Sequence, residues 1–413
     1  MKKEGIITKN AAQSISSSNP MHRSKRLWIA IILGTIASIG PLSIDMYLPA
    51  LPALAGELGA SASVTQLSLT ACLLGIALGQ LIVGPISDVR GRRMPLIIGI
   101  AIYSIVSLLC VIAPTIWTFI ALRFVQGLAG AAGIVIARAS ARDLYSGVEL
   151  TKFFALLMLV NGAAPILAPI VGAEILTFTS WRGVFAVLSV SGLLMLAAIL
   201  FGLKETLPAE RRSTGGIGNT LRTFRGLVSN SVFMGYAMTS GLMMAAMFAY
   251  ISGSSFVLQE MYGVSPRMYS FVFGLNGIGI ILSSQVAGRL AGRIEARKLL
   301  GSGLVMAMSG AVLLLIAALL ELSLPVVIIA FFLVVSSIGV ISATTTSLAL
   351  QDQGQTAGSA SALLGMLSFI FGGAAAPLVG LGGEGTAVPL ALVILLLVSA
   401  SMGSFVFLTK RRR

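Results

Sequence analysis

The stretch GPISDVRGRRMPL, Gly84–Leu96, is a glycine-containing turn that sets one aspartate and three arginines between two long apolar runs. A helix needs about 20 largely apolar residues to cross the hydrocarbon core of a bilayer, and both neighbours of this turn are long enough. The turn therefore reads as a short loop between two membrane-spanning helices. Working outward from it, apolar runs of spanning length cover residues 27–51, 65–87, 94–114, 116–137, 153–176, 183–203, 232–257, 270–290, 298–320, 325–349, 358–382 and 387–408. Twelve spans are predicted.

A second turn of the same kind, GRLAGRIEARKLL, begins at Gly288, 204 residues after the first, and follows the eighth run as the first follows the second. Between the sixth and seventh runs lies a polar stretch carrying Lys204, Glu205, Glu210, Arg211, Arg212, Arg222 and Arg225. The pattern predicts an all-α polytopic membrane protein of two pseudo-symmetric six-helix bundles, 27–203 and 232–408. A cytoplasmic central loop, 204–231, joins them, and polar tails occupy 1–26 and 409–413. Gly292 stands where Asp88 sits in the first turn, so the first copy reads as the specialised one.

Composition agrees with a chain solvated by lipid. Of 413 residues, 56% are hydrophobic and 10% charged, against about 25% charged in an average soluble domain, and the mean hydropathy is +0.98. The 28 Lys and Arg against 14 acids would suit a nucleic-acid binder by number alone. Their placement excludes that class. Twenty-five fall on one side of the twelve-span layout, only Arg182 and Arg267 on the other, and Arg123 lies within a span. The positive-inside rule then puts both termini in the cytoplasm, with attraction to anionic lipid as a by-product. The first run is not expected to be a cleaved signal, being too long and carrying Pro41, Asp45 and Pro49.

Several chemistries drop out. The sole histidine, His22, lies in the N-terminal tail, so no His-based metal site or Ser-His-Asp triad is expected inside the membrane. Cys72 and Cys110 fall in apolar runs and read as small buried hydrophobes. No lysine follows a glycine, which removes the phosphate-binding Gly-Lys pair of ATP-driven pumps. Gly380, Gly382 and Gly385 satisfy G-x-G-x-x-G, but with no strand before them they are not a nucleotide site.

A charge at the middle of a bilayer costs about 2.5–3.5 kcal/mol on insertion scales, so each is a functional candidate. Asp45, in PLSIDMYLPALP, and Arg123, in LRFVQGLAGAAG, fall at similar depths in spans 1 and 4. If those spans are neighbours, the two can pair directly or through Gln126, one turn from Arg123. In the functional reading Asp45 takes and releases a proton, burial opposing its charge and Arg123 favouring it. The alternative is a permanent ion pair that locks the helices.

Around the first turn, Gly84, Asp88, Gly91, Arg92 and Arg93 form a candidate conformational gate. Asp88 is expected to accept from helix N-terminal amides or to pair with Arg138 or Arg142 of the RASARD segment. In span 5, Pro165, Pro169 and Gly172 mark a hinge, a sealing contact or simply a bent packing helix. A substrate cavity is drawn from Tyr47, Asn161, Met243, Tyr250, Phe256 and Asn276, with Met244, Met247, Phe248, Gln285 and Phe369 nearby in the sequence pattern.

Together these motifs resemble the major facilitator superfamily, and within it the twelve-span drug:proton antiporters. GPISDVRGRR is similar to that family's loop 2–3 motif, LRFVQGLAGAAG to its span-4 motif, and APIVGA, Ala168–Ala173, to its span-5 antiporter motif, here with alanines in place of both outer glycines. PLSIDMYLPALP, TQLSLT, LGIALGQLIVGP and ETLPAERR resemble the bicyclomycin-resistance (Bcr/CflA) branch. The resemblance implies efflux of small hydrophobic or amphiphilic drugs across a bacterial inner membrane in exchange for protons. It also implies that Asp45 and Arg123 handle proton and substrate. Ala37 stands where some multidrug relatives carry a second carboxylate.

The expected protein is a transporter without enzymatic activity, binding no nucleic acid, needing no cofactor beyond a proton gradient, and monomeric. Its partners are a small-molecule drug, protons and the lipid bilayer. The rival within transport is a proton-coupled importer of a small nutrient, which more buried polar groups in the spans would favour. A channel would need a polar stripe running across the membrane, and an enzyme a catalytic cluster; the spans offer isolated charges.

Overall fold

A computed structural model describes residues 23–145, 153, 163–212, 224–351, 353, 357–380 and 386–409. Both chain ends, the middle of the central loop and Asn161 of the expected cavity lie outside the described residues. The described chain is helical throughout, with one isolated bridge at Ala291 and Ile294.

Eleven described helices are long and apolar enough to span: α1 (Trp28–Glu57), α2 (Ala62–Arg90), α3 (Arg93–Val111), α4 (Ile116–Leu144), α6 (Trp181–Gly202), α7 (Ser231–Met261), α8 (Pro266–Leu290), α9 (Ala296–Leu319), α10 (Leu324–Leu350), α11 (Ala357–Val379) and α12 (Val388–Leu408). Between α4 and α6 the described part of the fifth run is a shorter helix, α5 (Ala163–Ile175). Hydropathy underestimates several of them. α2 and α4 continue past the expected limits because their polar ends, ISDVR and RASARDL, carry on the helical turn.

Polar residues at the starts fix where helices begin. Ser61, Thr115, Ser180, Asn230 and Ser265 each accept a first-turn backbone N–H, satisfying donors that lipid could not. The outward faces are apolar: Ile112 is 71%, Leu194 67% and Phe201 91% exposed. Such a surface is stable only against acyl chains.

The two halves repeat one packing plan. α2 crosses α4 and α8 crosses α10; α3 packs on α6 and α9 on α12. Glycine permits the tight crossings in both. A Cβ at Gly127 would lie 2.1 Å from the Cys72 carbonyl oxygen, and one at Gly339 would lie 2.2 Å from that of Ile280. Small residues here let backbones touch, which drives helix association in lipid.

The halves meet through α2 with α11, α1 with α7, and α5 with α8. Thr70 donates to the Gly373 carbonyl at 2.7 Å, Gln66 to that of Ser252 at 3.2 Å, and Ser255 to that of Leu48 at 2.7 Å. Arg267 pairs with Glu174 at 2.7 Å. These bonds lie toward the end of the molecule that carries Glu57 and Glu174.

Candidate functional site

The site begins with a broken helix. Prolines at 41, 49 and 52 interrupt the ladder of α1, whose span is made of the end of a helix Arg23–Ala37, then Ile39–Asp45 and Leu51–Glu57, with a single tight turn at Leu48–Ala50. Asp45 is the last residue of the middle piece and is 4% exposed.

Arg123, fully buried in α4, reaches this break. Its Nη2 donates to the Ser43 carbonyl oxygen at 2.8 Å and its Nη1 to Oε1 of Gln126. Gln126 Nε2 in turn donates to Ser107 Oγ at 2.7 Å. The guanidinium carbon stands 4.5 Å from the centre of the Tyr47 ring and 5.5 Å from that of Phe185, a cation over aromatic faces. The Ser43 and Tyr103 hydroxyls share a further bond of 2.8 Å.

The expected Asp45–Arg123 ion pair is absent from this conformation. The reason is rotation about the helix axis. Ser43 presents its carbonyl to α4, and two residues further round the helix, about 200°, points Asp45 elsewhere. Asp45 has no hydrogen-bond or ion-pair partner among the described residues. It lies instead within electrostatic range of the Tyr250 and Tyr269 hydroxyls, on α7 and α8 of the other half.

On that facing half, Asn276 Nδ2 donates to the Tyr250 hydroxyl at 2.8 Å, and the Tyr250 ring packs against Phe273 and Phe331 at 5.7 and 5.1 Å. The buried Asn276 Oδ1 has no partner. Tyr250 and Asn276 thus sit together in the second half. The other expected cavity residues among the described ones do not join them. Tyr47 lies inside the first half beneath Arg123, hydrogen-bonded to Ser68 at 3.1 Å. Met243 is core packing, and Phe256 lines a small void beside Gln66.

α5 connects the break to the second half. A Cβ at Gly172 would lie 1.9 Å from the Met46 carbonyl oxygen, so only glycine fits beside the residue that follows Asp45. One turn back, the Pro169 carbonyl accepts from Ser270 Oγ of α8 at 2.9 Å. Pro165 is half-buried on the same helix.

At the opposite end, the Gly84–Arg93 turn forms an ionic cluster. Gly91 takes φ of +91°, which favours glycine, and any Cβ there would meet Glu205 Oε2 at 2.6 Å. Arg92 pairs with Asp88 at 2.5 Å and Asp143 at 2.9 Å, and donates to Ser87 at 2.8 Å. Arg93 donates to the Leu200 carbonyl at 2.8 Å, and a Cβ added at Gly84 would make only an ordinary contact with Val135 of α4. Asp88 therefore takes Arg92, not Arg138 or Arg142, and Arg142 is exposed outside the cluster. Burial alone would lower the Arg92 pKa; the hydrogen bonds it donates to Asp143 and Asp88 outweigh it and hold the guanidinium above its ordinary value.

Glu205 completes the cluster, a role not read from the sequence. Its carboxylate accepts backbone N–H groups of Arg92, Arg93, Thr206 and Leu207 at 2.8–3.1 Å. Partial burial raises its pKa, but these four donors win and hold it below the usual carboxylate value. The only sequence signal was its place in ETLPAERR, just after a span.

A family model of the Major Facilitator Superfamily matches residues 31–377. This chain belongs to the major facilitator superfamily. Among its superfamily relatives, the uncharacterized MFS-type transporter YdgK of Bacillus subtilis (strain 168) is 46% identical over 392 residues, covering 94% of this chain and 97% of that one. The bicyclomycin resistance protein homolog of Haemophilus influenzae is 32% identical over 394 residues, covering 95% and 98%. The multidrug resistance protein MdtL of Escherichia fergusonii is 30% identical over 244 residues, 59% of this chain and 61% of its own. In fold, the chain superposes on a bacterial homolog of the human lysosomal transporter Spinster with a TM-score of 0.74 at 16% identity, over 94% and 97% of the chains. The superfamily consists of transporters without enzymatic activity or cofactor, so the protein is a multi-pass membrane transporter.

Proposed function

We propose that this transporter exports small hydrophobic or amphiphilic drugs across the bacterial inner membrane in exchange for protons, with both termini cytoplasmic. The observation that carries the reading is Asp45. It is buried at a helix break that touches the other half through Ser255 and Leu48, whereas the other described acids lie at helix ends or in loops. A carboxyl so placed takes a proton when the cleft opens to one side and releases it when the cleft opens to the other. Arg123, held by Ser43, Gln126 and Tyr47, grips the same break two residues earlier. Tyr250 and Asn276 offer polar groups in an otherwise aromatic wall, which suits an amphiphilic substrate.

The cluster of Asp88, Arg92, Asp143 and Glu205 acts as the cytoplasmic gate, and α5 with α8 as part of the opposite seal. The names of the Haemophilus and Escherichia relatives support drug export. A susceptibility panel on cells with and without the protein, including bicyclomycin and chloramphenicol, tests the assignment. Higher resistance to one or more compounds is expected. Unchanged susceptibility across chemically diverse compounds would turn the assignment toward a nutrient importer.

A further inference from the structure

The two inter-helix turns are built alike and finished differently. In the first half the N-terminus of α3 is held by a carboxylate of the chain itself, Glu205, on the backbone N–H groups of Arg92 and Arg93. Moving 204 residues along, Glu205 becomes Thr409, Arg92 becomes Ala296, Asp143 becomes Ser347 and Ser140 becomes Thr344. α8 also stops at Leu290, whereas α2 runs on to Arg90, whose counterpart is Ile294. With the guanidinium and both aspartates gone and the last helical turn unwound, the second half contains a cavity of about 540 Å³ in place of the cluster. It is lined by Arg293, Glu295, Ala296, Thr344 and Ser347 among others.

Basic groups outnumber acids around this cavity: Arg293 and Glu295 line it, and Arg289, Arg297 and Lys298 lie in the same short segment. Arg289 and Arg293 are exposed, with no ion-pair partner among the described residues. Arg297 is committed to the Thr409 carbonyl at 3.0 Å and the Phe405 ring, and Glu295 is matched by Lys298 at 3.7 Å. Glu295 does not cap α9 with its side chain, so the start of α9 adds its positive end to two unpaired guanidiniums. A loop between spans lies at headgroup depth.

We infer that this cavity is a binding site for the phosphate of an anionic phospholipid headgroup. The headgroup does for the α8–α9 turn what Glu205 does for α2–α3. Basic pockets between helices at a membrane surface recognise such groups by charge and by several donors at once. Arg293, in the cavity wall, carries the recognition together with Arg289 four residues before it.

The test uses the full-length protein in nanodiscs of phosphatidylcholine with increasing phosphatidylglycerol, read by thermal unfolding and by lipid adducts in native mass spectrometry. Neither readout depends on transport. The wild type should retain phosphatidylglycerol adducts and gain several degrees of unfolding temperature, as ligand linkage requires. Arg289→Gln with Arg293→Gln should lose most of both, while Arg90→Gln, at the first turn, should lose neither. An equal response in the double variant and the wild type would overturn the assignment. So would equal stabilisation by inorganic phosphate in pure phosphatidylcholine, which would make the ligand a free anion. If the double variant folds poorly, Ser347→Asp replaces it, placing the first half's carboxylate in the cavity. That variant should repel the headgroup, and undiminished adducts would contradict the site.

Discussion

Arg123 donates to the carbonyl oxygen of Ser43 at 2.8 Å, two residues before Asp45 on the same interrupted helix. The cation and the carboxyl therefore belong to different faces of α1. Arg123 grips the backbone of the break, and Asp45 is buried with no hydrogen-bond or ion-pair partner among the described residues. Any change in how α1 is wound at this point moves both groups together.

Arg123→Lys keeps the charge but cannot reach Ser43 and Gln126 at once with a planar fork. Losing one charge-assisted bond to a buried carbonyl should cost about 1.5–3 kcal/mol. Transport at saturating substrate should fall at least tenfold with its pH dependence displaced, measured in inverted vesicles. An unchanged pH profile would leave Arg123 a packing residue.

Gly172→Ala places a methyl where the Met46 carbonyl stands, 1.9 Å from the ideal Cβ. Overpacking of this kind costs about 1–3 kcal/mol. The variant should insert and purify yet export poorly, because the strain falls on the break beside Asp45. Gly127→Ala, at the α2–α4 crossing, should instead lower the yield of folded protein, measured by fluorescence-detected size exclusion.

Much of this fold was legible in the sequence because a bilayer forces one solution, a helix of about 20 apolar residues, on every span. The depth of Asp45 and Arg123 could be counted along the chain for the same reason. What could not be counted was azimuth. The prolines at 41, 49 and 52 rewind α1, so spacing alone did not reveal that Ser43, not Asp45, would meet Arg123. Glu205 was hidden for another reason: its partners, Arg92 and Arg93, are more than a hundred residues away and contribute backbone, which leaves no residue-type signature.

Asp88→Asn removes a charge from Arg92 but leaves it Asp143 and Ser87. Turnover should drop severalfold while membrane insertion is intact, measured as initial rate per folded protein. A wild-type rate would reduce the turn to topology.

Glu205→Gln should loosen the α2–α3 turn by about 1 kcal/mol, the usual worth of a helix cap. Because four backbone donors hold the folded carboxyl below its ordinary value, the stabilisation is complete at neutral pH. It is lost as pH falls through that depressed pKa. The wild type and the variant should therefore differ in unfolding temperature near neutrality and converge in acid. A gap that persists at low pH would assign the effect to packing.

The central claim is that Asp45 carries the coupled proton, and drug-induced proton movement in proteoliposomes measures it directly. Addition of a transported drug to wild-type vesicles should move protons, seen with a trapped pH dye. In Asp45→Asn, which keeps the shape and cannot ionise, that signal should vanish while binding of a neutral drug survives. Proton movement that persists in Asp45→Asn would contradict the account and move the coupling site to Glu174 or the Asp143 cluster.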